Sequence, residues 1–217
     1  METLVIHVKA EFIDKSILGS QPNSEDIYSE FIASKAPEGK DITAQIEAVG
    51  AAEVEEKGTT VFARDKNGNP CLFDYHILGF LKEAMGRLRE NKGSACSKVT
   101  SYKKKIDGNL FVRPCLIPIE NHGEIGINQR SLRASTAQGD RTALASSEEI
   151  HEGATIEFRV EVNLPSLKQA IYECLSYGKD KGLGQWRNAG HGRFNVTKLQ
   201  VEKVERDLVS ELPIEEI

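Results

Sequence analysis

The stretch Gly182-Leu-Gly184-Gln-Trp-Arg-Asn-Ala-Gly190-His-Gly192-Arg193-Phe194 constrains this chain more than any other, because two Gly-X-Gly pairs bracket a polar pentapeptide between a predicted helix and a predicted strand. Leu167, Ala170, Ile171, Cys174 and Leu175 recur at helical spacing within Leu164–Tyr177, and Gly178 supplies a natural stop. Phe194–Val201 then reads as a strand. A dinucleotide-binding fingerprint needs the reverse order, strand then glycines then helix, and a Walker A loop needs a Gly-Lys-Ser/Thr that is missing. Both nucleotide-cofactor folds are therefore excluded for this loop. What remains is a loop whose glycines let backbone amides approach an anion. Arg187 and Arg193 suit phosphate, Trp186 offers a stacking face, and Gln185, Asn188 and His191 suit sugar or base edges.

The rest of the chain alternates helical and strand patterns. Leu4, Ile6, Val8, Ala10 and Phe12 alternate with polar residues, so the chain opens on a half-buried strand. Ser24 is placed to cap a helix using Ile27, Phe31 and Ile32, and Ile42, Ile46 and Val49 after Asp41 suggest a second. Thr59–Ala63 is strand-like, Asp65–Asn69 is a turn, and Asp74 is expected to cap the strongest helix, with Ile77, Leu78, Leu81, Ala84, Met85 and Leu88 on one face. From Leu110 the pattern is strand-rich: Leu110–Ile119, Thr142–Ser146 and Ala154–Asn163 precede the last helix and strand. This order predicts an α+β, ferredoxin-like (RRM-like) antiparallel sheet with helices on one face and insertions. The connection 120–133 looks too long and Gly-rich for a hairpin, and such insertions are often functional.

Charge is segregated rather than uniformly basic. The formal net charge is −5, with 13 acidic and 7 basic side chains in residues 1–70 and 6 against 2 from Leu199 to Ile217. Lys82–Arg113 instead holds nine basic residues, Lys98, Lys103, Lys104 and Lys105 among them, against Glu83, Glu90 and Asp107. Such a block fits a helix face followed by a lysine-rich loop, and it can contact phosphate. Cys71, Cys96, Cys115 and Cys174 are widely spaced and the histidines do not cluster near them, so reduced thiols and no metal or other cofactor are expected. No apolar run approaches a membrane span and Met1-Glu-Thr begins a strand, so a cytoplasmic protein without membrane association is expected.

The paired Gly-X-Gly spacing between the last helix and strand resembles the signature loop of the RAMP superfamily of CRISPR-associated RNA-binding proteins. A second stretch agrees. The run from Arg133 through Arg141 to Gly153 and the strand ending at Val162 is similar to the Arg-rich loop, Gly-Thr turn and strand of the repeating backbone subunits of multisubunit effectors. Together the two stretches cover roughly the C-terminal 40% of the chain, the glycine loop being the more specific. The resemblance implies one RAMP-like domain over residues 1–205, built on one or two ferredoxin-like units, followed by an acidic tail at 206–217. It implies a non-catalytic protein that binds single-stranded RNA or DNA and can form a homo-oligomer or filament along the strand. It also implies a thumb-like insertion that brings Arg130, Arg133 and Arg141 near phosphates, beside Gly182, Gly184, Gly190 and Gly192 of the loop.

Aromatic residues make up 6% of the chain and the RNP aromatic pattern is absent, so binding is expected to rest on amides, Arg and Lys, with weak sequence preference. Two alternatives stay open. One is a processing endoribonuclease of the same superfamily using one of His7, His76, His122, His151 or His191 as general acid or base. Asp14 and Asp26 lie in an early region where some backbone subunits carry a catalytic Asp, but no motif surrounds them. The other is a phage or mobile-element protein using this fold for single-stranded DNA or for protein binding.

Overall fold

The computed structural model describes residues 1–23, 59–121, 123–136 and 139–206, and for 132–143 the backbone course only. The helices expected from Ser24 and Asp41, Asp26, His122 and the acidic tail beyond Arg206 lie outside the described residues.

The opening alternation becomes β1 (Glu2–Phe12), whose Leu4, Ile6, Val8, Ala10 and Phe12 are all buried. β2 (Ile17–Leu18), β3 (Gln21–Pro22), β4 (Thr60–Val61) and β5 (Ala63–Arg64) are short. β6 (Pro70–Phe73) leads into α1 (Asp74–Leu88), which buries Ile77, Phe80, Leu81, Ala84 and Met85. Asp74 is not the cap of this helix. Phe73 holds that position without a side-chain bond, and Asp74 sits in the first turn with its carboxylate accepting from the Tyr75 amide at 2.8 Å, where negative charge favours the helix dipole.

The lysine-rich run is helical rather than a loop. α2 (Tyr102–Asn109) buries Ile106 against the body and leaves Lys103 and Lys104 exposed. The strand expected from Leu110 to Ile119 is two, β7 (Leu110–Arg113) and β8 (Leu116–Glu120), separated at Pro114, which has no amide to give a ladder. β9 (Gly126–Thr136) and β10 (Gly139–Ile150) follow, then β11 (Thr155–Val162), α3 (Lys168–Ser176) and β12 (Phe194–Glu205).

The large sheet runs β12-β1-β11-β8-β6-β5, with β7 also paired to β11. β1 is antiparallel to both β11 and β12, and β11 is antiparallel to β7 and β8. Taken as β1, α1, β7/β8, β11, α3 and β12, this is the βαββαβ order of a ferredoxin-like unit with the first strand central. α1 and α3 cover one face. Ala170, Ile171, Cys174 and Leu175 of α3 join the α1 residues over the inward side chains of β1 and β11, and Phe80 meets Phe194 edge to face at 5.1 Å.

The segment read as too long for a hairpin is in fact half of one. β9 and β10 pair antiparallel from Gly126↔Glu149 to Thr136↔Gly139. Near its root β10 also pairs with β2 at Glu149 and Ile150 and with β4 at Ser147, whose hydroxyl lies 2.7 Å from that of Thr60. Beyond Ser147 towards the tip, the ribbon has no ladder partner but itself among the described residues. Leu144 and Ile127 are left exposed on it.

Candidate nucleic-acid interface

After α3 the chain doubles back so that the two Gly-X-Gly pairs lie against each other. A Cβ on Gly192 would stand 1.9 Å from the Leu183 carbonyl oxygen, and one on Gly182 would stand 2.2 Å from the Gly192 carbonyl carbon. The Leu183 amide donates to the Gly192 carbonyl at 2.9 Å, closing the clasp. The clasp is sewn to the turn after β1. The Gly192 amide donates to Ser16 at 3.1 Å and the Gln185 amide to Leu18 at 3.3 Å, while the amides of Ala189 and Gly190 turn back on Trp186 and Arg187. These five amides therefore serve the fold, where an anion cradle had been expected.

The loop's charged side chains are answered internally as well. Arg187 binds Glu83 of α1 at 2.6 Å, and Lys181 binds the same carboxylate at 3.3 Å. Burial opposes the charge on Glu83, yet the two cations and their hydrogen bonds hold its carboxyl below the usual range. Lys181 also donates to the side-chain oxygen of Asn188, and Arg193 lies 3.6 Å from Asp14.

His191 is buried. Its Nδ1 stands 3.0 Å from the Ser16 carbonyl, its ring stacks on Trp186 at 5.1 Å, and burial pushes its pKa down. The geometry makes it a packing residue holding loop to turn. Trp186 stays two-fifths exposed.

Beside the loop, one cation has no carboxylate partner among the described residues. Arg130 of β9 reaches from the hairpin root to the loop, donating to the Ser147 hydroxyl at 3.1 Å and to Gln185 Oε1 at 2.9 Å, with its guanidinium 5.1 Å from the centre of the Trp186 ring. Its Nε is buried without a partner, and no carboxylate lies within ion-pair distance of it among the described residues. Burial disfavours its charge. A half-buried guanidinium held by neutral acceptors alone is an anion-binding arrangement.

The structure thus gathers Gln185, Trp186, His191 and Arg130 into one junction, with Ser16, Ser147 and Glu149 behind them; Glu149 accepts from Ser16 and from Asn128. Arg133 and Arg141 lie farther along the ribbon, in register with Thr142 and Ala134. Lys98, Lys103, Lys104 and Lys105 are not part of the junction. They follow α1, where Lys82 pairs with Asp107 and Arg89 sits over the Tyr102 ring. A groove of about 550 Å³ between α1 and α2, with Glu83 and Lys103 in its lining, runs beside the Arg187 anchor. The partners Glu83, Ser16 and Ser147 carried no sequence signal, because each is defined by contacts across 17 to 175 residues.

No family model matches the sequence, and no curated protein does. Among solved structures the chain is similar to a chain of the cryo-EM structure of the Type III-B Cmr-beta bound to cognate target RNA, with a TM-score of 0.54 at 10% identity. The match covers 92% of this chain and 61% of the other, so this chain spans about three fifths of its neighbour's length. At that identity the shared property is the fold. No helix among the described residues is long and apolar enough to cross a membrane.

Proposed function

We propose that this protein binds single-stranded nucleic acid, RNA in the first instance, as a non-catalytic subunit of the RAMP kind, with residues 1–205 acting as one domain. The observation that carries the reading is the uncompensated Arg130 guanidinium at the junction of a long hairpin and the glycine loop. The neighbour with the same fold, whose structure contains cognate target RNA, supports it independently. In this reading the loop is the hairpin's foundation. Its glycines and arginines fix the place from which β9 and β10 extend, and Arg130, with Arg133 and Arg141 along the ribbon, meets phosphates. Lys98 and Lys103 to Lys105 add diffuse attraction along the α2 side. Assembly into a filament along the strand belongs to the same proposal.

The test is binding of labelled single-stranded RNA and DNA by Arg130→Gln. Loss of one desolvated charge-assisted contact lowers affinity by about 10-fold or more, while the loop variant Arg187→Gln, which removes an internal ion pair, changes affinity far less. Equal affinities for wild type and Arg130→Gln would remove the basis of the proposal. Incubated in excess, the wild-type protein protects the strand; metal-independent cleavage at one position, abolished by a single His→Ala change, would establish the endoribonuclease instead.

A further inference from the structure

The face of the large sheet opposite α1 and α3 brings like charges together. Arg113 of β7 stands directly across from Arg159 of β11, and Lys9 of β1 directly across from Lys198 of β12. The register continues the first pair into a row, since Arg159 faces His7 and His7 faces Gln200. Like charges directly opposite each other destabilise an antiparallel ladder, so a sheet that keeps two such pairs in adjacent rows carries a cost that an anion would relieve.

Neighbouring carboxylates relieve only part of it. Glu157 binds Lys9 at 2.7 Å, Glu161 binds Arg159 at 3.3 Å and Glu202 lies 3.0 Å from His7. Among the described residues Arg113 touches only the Val112 carbonyl and the Cys115 sulfur, and neither Arg113 nor Lys198 has a carboxylate at ion-pair distance, Glu157 feeling the Lys198 charge from farther off. The surface they share is a hollow of about 580 Å³ beside Pro114, lined by four lysines and arginines against the single carboxylate of Glu157. Phe158 is buried beneath the hollow, and the exposed ring there is the His7 imidazole, already held by Glu202, so no phenyl, phenol or indole face is open to a base.

We infer that this row is a second nucleic-acid contact, on which a phosphodiester strand lies across the β-strands and is held through its backbone alone. Strand spacing makes the row from Arg113 to Gln200 about 14 Å long, enough for more than one phosphate, and paired guanidinium groups match phosphate oxygens in a bidentate manner. The inference takes its ligand from the nucleic-acid reading above, but it rests on a different face and different residues from Arg130.

The experiment is fluorescence anisotropy of a labelled single-stranded RNA across a salt series, with wild type, Arg113→Gln/Lys198→Gln, Lys198→Gln alone and Arg130→Gln. Losing two phosphate contacts flattens the slope of log affinity against log salt by about 1.4, and the single Lys198→Gln by about half of that. Thermal unfolding of the ligand-free double variant stays at or above the wild-type midpoint, because repulsion has been removed. If the double variant keeps the wild-type slope while Arg130→Gln still weakens binding, the sheet-face contact is wrong and the proposed function stands. If wild type binds neither RNA nor DNA, both fall. If a polyglutamate peptide displaces the labelled strand as effectively as unlabelled RNA does, the surface serves an acidic polypeptide and the inference is overturned.

Discussion

The glycine loop and the open face of the large sheet both concentrate arginine and lysine, and they treat those charges in opposite ways. In the loop, Arg187, Lys181 and Arg193 each have a carboxylate, on Glu83 or Asp14, and five amides donate within the fold. On the sheet, Arg113 faces Arg159 and Lys9 faces Lys198, and two of those four cations have no carboxylate at ion-pair distance among the described residues. The conspicuous motif is tied into the fold, and an inconspicuous period-two alternation sets like charges side by side. A basic residue becomes informative only once its counter-charge has been looked for.

If the loop is scaffold, its glycines should govern folding first. Gly192→Ala sets a Cβ 1.9 Å from a backbone oxygen that cannot move without opening the clasp, so the denaturation midpoint should fall by an amount equivalent to roughly 4 kcal/mol. Gly190→Ala meets only the Arg193 guanidinium at 3.5 Å or more and pays for its positive φ alone, about 1–2 kcal/mol. Equal losses at the two positions would erase the distinction between clasp and surface turn.

His191→Ala comes next. It removes a buried ring stacked on Trp186 and the contact to Ser16, a loss of about 2 kcal/mol read by denaturant titration, with RNA affinity changed much less than stability. An affinity loss without a stability loss would return this histidine to the ligand. Its folded pKa is depressed by burial, so its contribution is present above the unfolded value of about 6.5 and fades as pH falls through the folded one.

The smallest effect belongs to the anchor on α1. Because the Glu83 carboxyl is held below its ordinary value, the stabilisation is complete above the unfolded pKa and is lost as pH falls through the folded pKa. Glu83→Gln should therefore cost on the order of 0.5–1 kcal/mol at pH 7 and progressively less as pH falls through the folded pKa, so that wild-type and variant stability curves converge on acidification. Curves that stay parallel would show that the ion pair contributes nothing.

The sequence revealed most where one face of an element is buried. β1 and α1 were legible because their apolar residues keep strict periods of 2 and 3.6 against a common core. The hairpin was not. Its half-buried positions Gly126, Asn128 and Arg130 are no more apolar than the exposed Gln129 and Ser131, so the segment shows no hydrophobic alternation and reads as loop. The lysine-rich α2 was missed for a related reason: eight residues with a single buried one, Ile106, give no stripe to detect. At the interface, the residue types of the loop were legible and their roles were not. Whether Arg187 binds phosphate or Glu83 depends on a contact across 104 residues, which no local spacing encodes.

The hairpin also has a mechanical consequence. Eleven residues of β9 reach about 37 Å, and the fastening at Arg130, Ser147 and Gln185 lies at the fifth of them. The six residues of β9 beyond Arg130 form an arm of about 20 Å, and a rotation of about 5° at the clamp carries its far end through about 2 Å. A small rearrangement of the one guanidinium at the fulcrum is thereby magnified along the arm.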